Sequence, residues 1–264
     1  MRRRFFNKKN KENYLTITAL IDSTVYFNEM TGSDILPYTI LKYRINAGEW
    51  VDYNNGIGID LKLGENVQFY GDYHYATVRY CCFNIIGKCS LSGNCMSIAY
   101  YNDFHKRNKV IGSAFMYLFE NCDSIVSVSS DFLPATMLSA NCYYQMFYNC
   151  TSLETAPELP ATTLADNCYN QMFYNCTSLE TAPELPATTL ATGCYYNMFR
   201  GCSKLNYIKA MFTTTPSSSY TSYWVDGVAS TGTFVKNKNA TWNVTASYGN
   251  GYIGIPLGWT IIKE

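Results

Sequence analysis

Residues 145–165 read QMFYNCTSLETAPELPATTLA, and residues 171–191 repeat that string without a change. A third copy, Asn197 to Ala210 (NMFRGCSKLNYIKA), has diverged. An earlier one, Tyr117 to Leu138 (YLFENCDSIVSVSSDFLPATML), carries two extra residues between its Cys and its Leu-Pro. A period of 26 residues over three or four copies narrows the possible folds sharply. One such unit cannot bury its own apolar face, so neighbouring units must stack. Identity over 21 residues points to recent duplication, which makes the copy number itself adjustable.

Within a unit, Leu164, Cys168, Met172 and Cys176 are four residues apart, and Ala165, Tyr169 and Phe173 run beside them. Two such rows form one apolar stripe and predict a helix ending near Asn175, with Thr162 or Thr163 as its cap after Pro160. Leu179 and the Thr181–Pro183 segment predict a short strand. Stacking would then set Leu153, Leu179 and Leu205 in a buried ladder.

The string MFYNCTSLETAPELP resembles the unit of Treponema-type, or BspA-like, leucine-rich repeats. Phe173, Cys176, Leu179, Leu185 and Pro186 occupy the positions that carry the likeness. Cys168 and the Ala-Pro pair depart from the general pattern. Arrays of this kind are common in surface proteins of gut Bacteroidales and in structural proteins of their phages, including crAss-like phages. The resemblance covers residues 112–212 and implies a leucine-rich-repeat solenoid there.

The flanks complete an expected α/β repeat architecture. Leu15, Ile17 and Ala19 alternate with polar neighbours, as do Leu41, Tyr43 and Ile45, and Ile59, Leu61 and Leu63. With a turn at Gly64–Asn66 leading into Val67–Phe69, they predict an N-terminal β-sandwich over residues 14–85. Residues 86–111 read as a junction. Residues 213–264 read as a linker rich in Thr, Ser and Pro, then a C-terminal β cap in which Phe234, Trp242, Ile255 and Trp259 cover the last apolar layer.

The chemistry-bearing residues favour bland roles. The chain has eleven Cys and two His. Cys142, Cys168 and Cys194 follow the 26-residue period, as do Cys150, Cys176 and Cys202, and all six fall on the apolar stripe, where Cys behaves as a small hydrophobe. Cys81, Cys82, Cys89 and Cys95 lack zinc-site spacing, so no metal is expected. No motif flanks His74 or His105, and Asp103 near His105 is weak evidence for a pair. Glu154/Glu180 and Glu158/Glu184 invite comparison with a glycosidase pair, but they recur once per repeat, whereas a catalytic pair needs one unique, unequal environment. No catalytic residue and no cofactor is expected.

Partner-binding candidates fall in two groups. Tyr143, Tyr148, Tyr169, Tyr174 and Tyr195, with Glu154 and Glu180, recur through the repeats. Tyr among Asn and Thr offers flat area plus hydrogen bonds, suited to protein or carbohydrate contact, and equally to packing. The other group lies in a basic arm over residues 1–13: Arg2, Arg3, Arg4, Lys8, Lys9 and Lys11 against Glu12, on a chain whose formal net charge is zero. That split argues against a nucleic-acid surface, which would spread Lys and Arg over a folded face. No membrane span and no Sec-type signal peptide are legible. The expectation is a non-enzymatic virion protein, fibre- or tail-associated, in an oligomeric assembly. Its arm would dock on other virion proteins and its repeats would face a host protein or glycan. A bacterial cell-surface adhesin is the alternative.

Overall fold

The computed structural model describes residues 13–29, 41–71 and 81–264. The cations of the basic arm and His74 lie outside the described residues. The chain is β-rich, with strands gathered in three small sheets. The first sheet has six strands: β1 (Leu15–Ala19), β3 (Leu41–Ile45), β4 (Val51–Asp52), β6 (Asn66–Gly71), β8 (Cys89–Ser92) and β9 (Ile125–Val128), in the order β4-β3-β6-β1-β8-β9. The second joins β5 (Ile59–Leu61), β2 (Ser23–Glu29) and β7 (Cys81–Ile86). The third is parallel, β10 (Tyr207–Ala210), β11 (Thr233–Lys236) and β12 (Thr260–Lys263).

Alternation works where it is clean. In β1 Leu15, Ile17 and Ala19 are buried and Thr16 and Thr18 are not, as a half-buried strand requires. Leu63 is exposed beyond the end of β5. β8 lies inside the segment expected as a junction. It pairs with β1 on one side and with β9 of the first repeat on the other, so the sheet runs directly into the repeats.

The α/β expectation of a sandwich, a leucine-rich-repeat solenoid and a cap is overturned. Among the described residues the one α-helix is a single turn, Ser218–Thr221, and no repeat contains an α-helix. The reason lies in the backbone. Ser113, Tyr117 and Asn121 have φ near +60°, as do Asn141, Gln145 and Asn149 in the next unit, then Asn167, Gln171 and Asn175. A left-handed residue at every fourth position ends each right-handed turn before a helix can propagate. A row of apolar residues at i, i+4, i+8 is therefore met by successive tight turns instead.

The hydrogen bonds follow from that geometry. In residues 141–150 the even-numbered N–H groups donate three residues back, Met146 to Tyr143 and Cys150 to Phe147 among them, at 3.1–3.3 Å. The odd-numbered ones donate into the next unit: Asn141 to Asp166, Tyr143 to Cys168, Gln145 to Asn170, Phe147 to Met172 and Asn149 to Tyr174, at 2.7–3.1 Å. Each unit thus forms a layer bonded to the next, and no backbone donor in this run is orphaned. Ser217–Ser222, expected as linker, belongs to this scheme too, since Gly193, Tyr195 and Asn197 donate to Ser219, Tyr220 and Ser222.

Layering puts equal residues in columns. Phe119, Phe147, Phe173 and Phe199 stack at 5.6, 5.7 and 5.9 Å, nearly parallel and fully buried. Leu153, Leu179 and Leu205 are wholly buried at equivalent positions. Phe234, Trp242, Ile255 and Trp259 are buried over the last layers, where the Trp242 and Trp259 indoles donate to the Phe212 and Ala229 carbonyls. One apolar cluster runs from Leu15 to Trp259.

Candidate functional site

The columns sort the candidate residues by exposure. Tyr143, Tyr169 and Tyr195 stack at 5.9 and 6.2 Å and are at most 2% exposed. They are core, and this corrects their reading as recognition residues. Burial pushes all three phenols well above the usual tyrosine range. Tyr148 and Tyr174 are half-buried and stack at 4.7 Å with 8° between planes. Each ring covers one face of the other. Burial raises the Tyr148 phenol.

Arg200 continues that column one layer on. It pairs with Asp226 at 3.0 Å and lies over the Tyr223 ring at 5.0 Å. Beside it runs an amide ladder, in which Asn149 donates to Asn121 at 3.0 Å and Asn175 to Asn149 at 2.6 Å. Neither feature was among the sequence candidates. The signal that finds them is column position, visible only once the layers are known to stack in register.

Glu154 and Glu180 are exposed and are brought together. With Thr155, Ala156, Ser178, Thr181, Ala182, Pro183 and Lys204 they line a groove of about 440 Å³. It lies where the two identical units meet. Along this edge Glu154 and Thr155 donate back to Val126, while Asn206 donates to Glu180 and Ala182 to Tyr207. Each identical unit therefore pairs with its outer neighbour, and among the described residues no backbone bond joins 152–158 to 178–184. Pro157 and Pro183 lack the N–H that would continue a strand pair between them.

The six repeat thiols are buried, and among the described residues none is paired with another. Cys150, Cys176 and Cys202 donate to the carbonyls of Phe119, Phe147 and Phe173, one layer back, at 3.1, 3.2 and 2.9 Å. Burial pushes Cys142, Cys194 and Cys202 up to about 12, and it holds Cys150, Cys168 and Cys176 well above their usual range. Such thiols are poor nucleophiles. Cys142, Cys150, Cys168, Cys176, Cys194 and Cys202 are accordingly expected to resist labelling in native protein and to react fully after denaturation. Rapid native labelling, or inter-repeat disulfides by mass spectrometry, would contradict this.

His105 is exposed and its ring meets Phe104 edge-on at 5.7 Å. Asp103 is paired with Lys106 at 3.1 Å, which holds its carboxyl below the usual range. Among the described residues no group of His, Cys, Asp or Glu is arranged to hold a metal, and no helix is long and apolar enough to cross a membrane.

No protein-family model, curated protein or solved structure matches this chain.

Proposed function

We propose that the protein is a non-enzymatic structural and adhesive component of a phage particle, fibre- or tail-associated, anchored by its basic arm. The observation that carries this reading is the registered stack. It sets identical surface groups one layer apart, Tyr148 on Tyr174 and Asn149 on Asn175, on a backbone bonded from layer to layer. A periodic and rigid surface suits an extended or repeating partner. The placement on a phage comes from the resemblance of the repeat string to proteins of gut Bacteroidales and their phages.

Deleting residues 2–12 is expected to leave the body folded and to abolish incorporation into particles. Charge-assisted contacts from Arg2, Arg3 and Arg4 would be lost with the arm. Normal incorporation of the truncated protein would refute the anchor. Salt-sensitive DNA binding by the intact chain would favour a nucleic-acid role instead.

A further inference from the structure

Between Val110 and Phe199 the chain carries eight carboxylates and no Lys, Arg or His. Residues 1–12 carry six cations against Glu12 alone. The first described residue after the arm touches the acidic stretch. Asn13, directly after the arm's cations, donates its Nδ2 to Asp131 at 3.2 Å, and Ser129 Oγ donates to the other carboxylate oxygen at 2.8 Å. The Glu158 N–H donates to the Ser130 carbonyl at 3.2 Å, which sets Glu158 one layer beyond Asp131. Further on, Glu184 is already paired with Lys209 at 3.4 Å, and Lys209 also holds Glu264 at 3.1 Å. Glu154, Glu158 and Glu180 are exposed and make no ion pair among the described residues.

We propose that residues 1–12 dock in cis along this acidic edge, from Asp131 past Glu158 into the groove between Glu154 and Glu180. Equivalent carboxylates on adjacent layers repel each other, and a cation placed between them removes that repulsion. The groove is open at this point because the two identical units do not pair there. Lys204 also lines the groove, and its charge sets the limit of the acidic path. Reach is ample: two layers span about 10 Å, whereas twelve residues extend to about 40 Å. The inference rests on reading the arm as a docking element, and it names the surface that holds the arm when no neighbour does.

Zero-length carbodiimide cross-linking of the full chain, read by mass spectrometry, tests this. Lys8, Lys9 or Lys11 is expected to be joined to Glu154, Glu158 or Glu180 within the monomer. The yield should fall severalfold as salt rises from about 0.05 M to about 0.5 M, where the screening length shrinks to a few ångströms. It should fall likewise in the Glu154→Gln, Glu158→Gln, Glu180→Gln triple variant, whose changes lie at exposed positions. In a second measurement, a synthetic peptide of residues 1–12 should bind the truncated protein at least about tenfold more tightly than the full chain, whose own arm competes at high effective concentration. Absence of arm-to-groove cross-links overturns the proposal. So do cross-links confined to dimers, which would make a second copy the occupant, and equal peptide binding to both forms. Particle incorporation does not enter these measurements, so this inference and the anchor reading can fail separately.

Discussion

Leu179→Ala is expected to lower unfolding free energy by about 2–5 kcal/mol in a denaturant titration. Leu179 is wholly buried, with Leu153 and Leu205 wholly buried at the same position in the layers on either side. The cavity would therefore open into two interfaces at once, and backbone bonds between layers limit how far they can collapse to fill it. A loss below about 1 kcal/mol would mean that the leucines do not share a ladder.

Asn175→Ile should be nearly as costly, for a different reason. Asn175 has φ of +57°, and its amide donates to Asn149 at 2.6 Å. A β-branched residue in that conformation costs about 1–2 kcal/mol, and loss of the amide contact adds about 0.5–1.5 kcal/mol. Asn175→Gly isolates the second part, since glycine takes positive φ freely and should lose only about 1 kcal/mol. The chain makes that exchange itself: the column Asn121, Asn149, Asn175 continues as Gly201 and Gly227, all at positive φ. Equal losses for the Ile and Gly variants would show that the left-handed backbone is not what this position demands.

The sequence made the period, the burial of the six repeat cysteines and the leucine positions legible, because repetition marks equivalent sites whatever the local conformation. It misled at Cys168, Met172 and Cys176. Apolar residues four apart satisfy a helix and also satisfy a chain of four-residue turns, and the pattern alone does not separate them. The residues that decide are Asn167, Gln171 and Asn175, also four apart. Asn is several-fold enriched at positive φ, and a recurring Asn column with Gly in later copies was the available clue. The candidate site was legible only in part. Glu154 and Glu180 do share a groove, but Tyr143, Tyr169 and Tyr195 are spent on the core. Nothing in residue type distinguishes Tyr169 from Tyr174. The turn on which each sits does.

Hydrogen-bond scalar couplings across the amides of residues 141–149, measured on deuterated protein, test the layered repeat most directly. The structure predicts that Tyr143 N–H couples to the Cys168 carbonyl and Phe147 N–H to the Met172 carbonyl, while Met146 and Cys150 couple three residues back. Coupling of Phe147 N–H to the Tyr143 carbonyl, four residues back as in a helix, would contradict it.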